Sequence, residues 1–386
     1  MDYEKKKRSK KVLIIALVVI ELLIIAAVVA YFAWEKAPDI AGSKPAASTP
    51  VPTVRPTAEV VEATPSPTPE PTPTPVLDSA VAPENDRHDG VYTILLVGED
   101  LWTGHTDTIL VGKVDTNEHK MDFVSIPRDT LLNMDSDMRK INAVYTNAKS
   151  LGDDGMEALK FRVKELIGFE VDCYAKIDLD SFVKVVDAIG GIDIYLDEPL
   201  QYDDVWQNMY IDVPAGQNHL NGQEAMTLVR YRAGYASADL GRIEAQHKFL
   251  KACVEQFISL GNIPNIGKVM DILEESVETD LTAANIAYFI RQGLMCKPEN
   301  INFYTMPNAP KTLGGYSYAV ILVYDWVKMI NNYLNPFVEE ITMNNINVMY
   351  NDYYGYGCTG EVRGGWYYIG AAEADMAAQA QAQGWG

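Results

Sequence analysis

Hydrophobic and polar positions recur along the middle of the chain with two different periods. Residues 92–97, 108–114 and 121–126 are short runs rich in Val, Ile and Leu, and they predict three β-strands. Gly98 closes the first run, and Asp115-Thr116-Asn117-Glu118 places a turn between the second and third. Between 155 and 167 the apolar residues Met156, Leu159, Val163, Leu166 and Ile167 follow helical spacing. A strand is expected over 171–177, then a helix over 181–189 stopped by Gly190-Gly191, then a strand over 192–196. Leu220-Asn221-Gly222 leads into a helix through Val229, and further helices are expected over 241–260, 286–294 and 323–334. Strands interleaved with helices predict an α/β class fold, a layered α/β/α domain with a mixed central sheet over residues 89–337. A domain of about 250 residues is large enough to bury a sizeable core.

The pattern fails at both ends of the chain. Residues 12–34 are almost wholly apolar, with Glu21 the only charge before Trp34, and at 1.5 Å per residue they cross a hydrocarbon core of about 30 Å. The expected organisation is a cytoplasmic basic tail (1–11), one transmembrane helix (12–34) and everything after it outside the cell, because the Lys/Arg cluster stays on the cytoplasmic side. A cleaved signal peptide is the rival reading, with Ala37 and Ala41 as weak cleavage candidates. Residues 35–88 form a Pro/Thr-rich linker with repeated Thr-Pro steps from 64 to 75. Such a segment favours extended polyproline II, and ~45 residues reach on the order of 100 Å. O-glycosylation is an alternative use of it. Residues 338–386 are rich in Asn, Tyr, Gly and Ala; 371–386 are expected to be disordered. The aromatic stretch 350–368 is a sugar-stacking surface, a packed terminal flap or plain disorder.

Charge narrows the function. The formal net charge is −21, yet residues 1–37 hold seven Lys/Arg against four Asp/Glu, so the rest carries −24. A domain that acidic binds no nucleic acid as a general partner, and any phosphate it holds must meet a local arginine cluster or a metal ion. Cys173, Cys253, Cys296 and Cys358 are widely spaced with no C-x-x-C pair, which argues against zinc and favours free or buried thiols. Nucleotide P-loops, Rossmann glycines, the G-x-S-x-G elbow and H-E-x-x-H are all missing from the sequence. What remains is a set of polar groups at element ends. Asp100 and Asp107 flank adjacent strand ends, where they either hold a hard cation such as Mg²⁺ or serve as solvated turn residues. Arg128 follows Pro127 directly after an apolar strand, and Lys140 comes soon afterwards. Arg230 and Arg232 flank a tyrosine; Arg242 and Gln246 share one face of the next helix, near an N-terminus that favours anions. Arginine forks suit phosphate, while pairing with acids such as Asp239 and Glu244 is the plainer alternative.

Taken together these segments resemble the LytR–CpsA–Psr family of bacterial cell-wall proteins. The resemblance rests on Ile94–Asp100, Thr106-Asp107-Thr108, Ser125-Ile126-Pro127-Arg128-Asp129-Thr130, Lys140-Ile141-Asn142-Ala143, residues 186–192 and 216–225, and Arg230-Tyr231-Arg232. It implies a phosphotransferase that moves a glycopolymer from a polyprenyl-pyrophosphate carrier to peptidoglycan, forming a phosphodiester. It further implies that Asp100 and Asp107 hold Mg²⁺ (or Mn²⁺), and that Arg128, Lys140, Arg230, Arg232, Arg242 and Gln246 contact the pyrophosphate. The lipid chain is then expected in an apolar groove within the layers. Trp102, His105 and Ala245 stand where arginines are common in the family, and His105 supplies positive charge when protonated. Asp100 or Asp107 is also a candidate acceptor of the attacking hydroxyl's proton. Two other functions compete: a pyrophosphatase acting on the same lipid-linked substrate, and a non-enzymatic receptor for wall polymer or lipid.

Overall fold

The computed structural model describes residues 37–38, 86–100, 104–136, 138–197, 199–204, 209–230, 239–258, 266–352 and 355–363. The chain begins with strands β1 (Val91–Asp100), β2 (His105–Asp115) and β3 (Lys120–Ser125), then helices α1 (Val144–Leu151) and α2 (Gly155–Ile167). Next come β4 (Cys173–Asp178), α3 (Leu179–Ala188) and the strands β5 (Ile192–Leu196), β6 (Leu200–Asp204), β7 (Met209–Val213) and β8 (Gly216–Leu220). Helices α4 (Gly222–Arg230), α5 (Asp239–Ile258) and α6 (Ile266–Ser276) follow, then β9 (Val277–Thr279) and α7 (Ala283–Met295). Strands β10 (Ile301–Thr305), β11 (Asn308–Leu313) and β12 (Tyr316–Leu322) lead to α8 (Val323–Met329), a π-helical turn Ile330–Leu334, and β13 (Met349–Asp352) and β14 (Gly355–Cys358).

Local chemistry sets the element ends. Asp154 caps α2 by accepting the amides of Met156 and Glu157, and Gly168 ends that helix at φ 89°. Asp178 caps α3 through the Ser181 amide, and Thr282 with Asn285 forms a capping box at α7. The β2–β3 turn is an Asx turn, with Asp115 Oδ1 accepting the amides of Asn117 and Glu118 at 2.9 Å.

The main sheet is mixed, in the order β10-β3-β2-β1-β4-β9. β1 and β4 run parallel, as do β3 and β10; the other pairs are antiparallel. Both sheet faces are covered. On one, Leu95, Val97, Val111 and Val124 pack with Leu159, Leu166 and Trp326 from α2 and α8. On the other, Tyr92, Leu110, Met121 and Phe123 meet Leu250 and Val254 of α5 and Tyr288 and Phe289 of α7. Gly112 makes that second face possible, since a Cβ there would lie 2.6 Å from the Phe123 ring. A smaller core joins α3, α4 and α5 to the β5–β8 pair through Val186, Ile192, Leu228 and Phe249.

The domain limits expected at 88 and 337 need correction. Arg87 pairs with Asp172, the His88 amide donates to Pro336 O at 3.0 Å, and the Val338 amide donates to Asp86 O at 3.0 Å. Past Phe337, Ile341, Ile346, Val348 and Met349 are all buried. β13 runs parallel to β12, and β14 completes a second sheet in the order β11-β12-β13-β14. Asn347 donates to the buried Glu165 carboxylate at 2.8 Å, and Arg363 does so at 2.7 Å. Composition hid this segment because Asn and Gly dominate it, yet Ile341, Ile346, Val348 and Met349 face inward. The described part of 350–368 is therefore a packed flap. Gly357 leaves room for the Tyr350 ring, 2.6 Å from where its Cβ would stand. The expected transmembrane segment, most of the linker and residues 371–386 lie outside the described residues. Among the described residues no helix is long and apolar enough to cross a membrane.

Candidate functional site

Asp100, His105, Asp107, Arg128 and Lys140 gather where β1 ends, β2 begins and the chain leaves β3. β1 and β2 lose register between Gly98 and Glu99: Gly98 faces Thr108 and Glu99 faces Thr106, so Asp107 is the extra residue of a β-bulge. A bulge re-aims one side chain out of the ladder. Asp107 points to Arg128, whose Nη1 lies 3.1 and 3.3 Å from its two oxygens. Asp129 accepts Lys140 Nζ at 2.8 Å and sits 3.9 Å from Arg128 Nε. The result is an alternating row, Asp107–Arg128–Asp129–Lys140, half-buried along its length. The Arg128 pair is longer than the 2.7–2.9 Å of a tight charge-assisted bond, so the guanidinium is held without being saturated. Arg128 Nε and Asn142 Oδ1 are both buried without a hydrogen-bond partner. Asn142 lies against the same loop, its amide donating to Arg128 O at 3.2 Å. An unpaired donor beside an unpaired acceptor marks a corner built for a further polar group.

Asp100 closes β1, opposite His105 at the start of β2. Two carboxylates on one hairpin rim suit a hard cation that fills its shell with phosphate oxygens and water, as Mg²⁺ does, rather than an all-protein cage. Among the described residues no group of three or more acidic, His or Cys side chains is arranged to hold a metal. Arg232 lies outside the described residues. Arg230, Arg242 and Gln246 are placed by their backbone only, Arg230 as the last residue of α4 and the other two on the first half of α5.

An apolar cavity opens between the main sheet and the helices. One lobe of about 300 Å³ is lined by residues including Ile94, Leu96, Phe123, Phe289 and Ile290. A second of about 290 Å³ shares Met121, Phe123, Leu273, Ile290 and Gly293 and adds Val185 and Cys253. Such a lining suits an alkyl or isoprenoid chain. The cavity face leads toward the charged corner along β3. Phe123 stacks on Phe303 (centroids 5.2 Å), Phe303 lies 5.8 Å from the His247 ring, and His247 Nε2 is 2.7 Å from Ser125 Oγ. Ser125 is the last residue of β3, three before Arg128.

Sequence reasoning missed several residues here. Asp129 lies within Ser125-Ile126-Pro127-Arg128-Asp129-Thr130, and its place next to Arg128 is the available signal. His247 follows Gln246 directly on α5 and gave a weak one. Lys176 on β4 gave none. It donates to Glu99 at 2.6 Å and lies 3.0 Å from Glu278. Burial works against its charge, but hydrogen bonds with Glu99, Tyr145 and Glu278 outweigh that and raise its pKa. The four cysteines are free, and burial pushes their thiols up, so none is a poised nucleophile.

The mixed α/β domain thus carries a half-buried row of alternating charges at one end of its main sheet and an apolar cavity on one face of that sheet. The LytR_cpsA_psr family model matches residues 62–334, more than half of the chain, and the chain belongs to that family. It is 33% identical over 202 residues to the polyisoprenyl-teichoic acid–peptidoglycan teichoic acid transferase TagV of Bacillus subtilis, a match covering 49% of this chain and 50% of that protein. The chain thus spans about half the length of that relative. To the transferase of the same description, TagU, of Oceanobacillus iheyensis it is 26% identical over 251 residues, 64% of this chain and 76% of that protein. The crystal structure of Bacillus subtilis TagV shares the fold, with a TM-score of 0.54 and 24% identity over 64% of this chain and 96% of that one.

Proposed function

We propose that this chain is an extracytoplasmic phosphotransferase. It moves a glycopolymer, teichoic acid being the class its relatives' names point to, from a polyprenyl-pyrophosphate carrier to peptidoglycan. The observation that carries the reading is the Asp107–Arg128–Asp129–Lys140 row, whose Arg128 Nε makes no hydrogen bond, in the same domain as a cavity lined by apolar side chains. Family membership and the names of TagV and TagU support it. The isoprenoid tail enters the cavity and the pyrophosphate meets the row. An acceptor sugar hydroxyl attacks the polymer-side phosphorus. A new P–O bond forms, the anhydride P–O bond breaks, lipid phosphate leaves, and the hydroxyl proton passes to a carboxylate or to water.

Arg128 and Lys140 provide fixed positive charge for the oxygens on which charge develops, in a half-buried site where screening is weak. Asp107 keeps the Arg128 fork oriented before substrate arrives, and Asp129 does the same for Lys140. Asp100 and Asp107 would hold Mg²⁺ (or Mn²⁺), which when bound neutralises phosphate charge and orients the substrate. Arg230, Arg232, Arg242, Gln246 and His105 are proposed to surround the same head group. The domain works outside the membrane, tethered by the segment 12–34 and the proline-rich stalk. The test is turnover of a lipid-pyrophosphate-linked polymer in the presence of peptidoglycan and Mg²⁺. Wall-linked product supports transfer; free polymer phosphate as the sole product would replace it with hydrolysis.

A further inference from the structure

The loop from β3 to α1 carries Arg128, Asp129 and Lys140, and it is short of regular structure. It is held instead by β12, inside the family match at 62–334, and by the segment that follows that match. The Ala319 amide of β12 donates to Asp129 O at 2.9 Å, and the Leu131 amide donates to Ala319 O at 3.0 Å. Leu132 forms a bridge with Val348. Asn133 Nδ2 donates to Asn347 Oδ1 and to Glu361 O, each at 2.7 Å, while the Arg363 amide donates to Asn133 Oδ1 at 3.0 Å. Tyr318, next to Ala319 on β12, brings a side chain to the site. Its ring lies 5.8 Å from Lys140 Nζ, and its hydroxyl accepts the Arg139 amide at 3.4 Å. Met349 and the half-buried Tyr356, from β13 and β14, pack Tyr318 into place.

Lys140 is thereby bounded by a carboxylate and by an aromatic face. A lysine ammonium rides on a flexible stem, and pairing with Asp129 alone leaves it free to swing. A ring within about 6 Å attracts the charge and limits that swing. We propose that the C-terminal segment 341–363, acting through Tyr318, is a positioning element that aims Lys140 at the anionic head of the substrate. This rests on the phosphotransferase reading above and adds a role for residues past the family match.

The test uses the full chain and farnesyl pyrophosphate as the probe, titrated by calorimetry with Mg²⁺ present. Tyr318→Leu is expected to weaken binding about three- to tenfold, while Tyr318→Phe, which keeps the ring, stays within about twofold. In a Lys140→Met background Tyr318→Leu is expected to change nothing further, because the group it positions is gone. A merely structural Tyr318 would weaken binding equally in both backgrounds, and that result overturns the proposal. Should Tyr318→Leu fail to fold, Asn133→Ala cuts the link between loop and segment and carries the same expectation of a Lys140-dependent loss. Wild-type binding by these variants, alongside lost binding in Arg128→Ala, overturns the positioning role and leaves the phosphotransferase reading intact. Wild-type binding by Arg128→Ala sinks the reading itself, and the positioning role with it.

Discussion

Removal of the chain after Phe337 should abolish folding of the α/β domain rather than trim a tail. The lost segment contributes Ile341, Ile346, Val348 and Met349, each at most 2% exposed. Deleting one buried aliphatic side chain to alanine costs about 2–5 kcal/mol, and four together rival the ~5–15 kcal/mol that holds a typical domain folded. The truncation also strips Glu165, itself buried, of its Asn347 and Arg363 donors and leaves only Arg162. A milder probe of the same claim is Ile346→Ala, for which about 2–5 kcal/mol predicts a fall in Tm of roughly 5–15 °C. Val338→Ala is the control, since that side chain is exposed and should move Tm by under about 2 °C. Thermal unfolding of the detergent-solubilised full chain, followed by far-UV circular dichroism, reads all three. A chain ending at Phe337 that melts cooperatively within about 2 °C of the full chain would refute the packing account.

Other outcomes follow from single contacts. Gly293 lines both lobes of the cavity, and a Cβ there has only Met121 Cε within reach, at 3.8 Å. Gly293→Ile should therefore fill the cavity and weaken farnesyl pyrophosphate binding, while inorganic pyrophosphate binding is unchanged; equal loss of both would contradict the cavity's role. Gly222→Ala should destabilise the domain strongly in thermal melts, because the new Cβ would lie 2.3 Å from Val183 O at the α3–α4 crossing. Lys176 has a raised pKa in the folded state, so its stabilising contribution is complete below the ordinary value of 10.5 and is lost as pH rises through the folded value. Lys176→Met should flatten the decline of Tm above pH ~10.5; an unchanged alkaline slope would contradict the pairing with Glu99 and Glu278.

Much of the main sheet and its helices was legible in the chain. The α2 stripe gave its bounds to the residue, since cap and terminating glycine both lie next to it. β1 and β2 run further than their apolar runs, to Asp100 and back to His105, because hairpin pairing carries polar residues into the ladder. The elements that went unseen have mixed sequences. β6–β7 carry Tyr and Asp, β10–β12 mix Asn, Thr, Ser, Lys or Tyr with their apolar residues, and α6 mixes its apolar residues with Lys, Asp and Glu. In the site, residue types at strand exits pointed to Asp107, Arg128 and Lys140. Their partners were not visible, because pairing with Asp129 and Tyr318 depends on loop geometry and on a segment nearly 180 residues later in the chain. The bulge that turns Asp107 toward Arg128 leaves no mark in composition.

Transfer of a lipid-pyrophosphate-linked polymer to peptidoglycan by wild type and by Arg128→Ala is the most direct measurement. Wild-type protein should give wall-linked polymer in a Mg²⁺-dependent manner. Arg128→Ala, folded with a Tm near that of wild type, should lose transfer by about a hundredfold or more. Equal rates from the two proteins would contradict the assignment of phosphate chemistry to this corner of the fold.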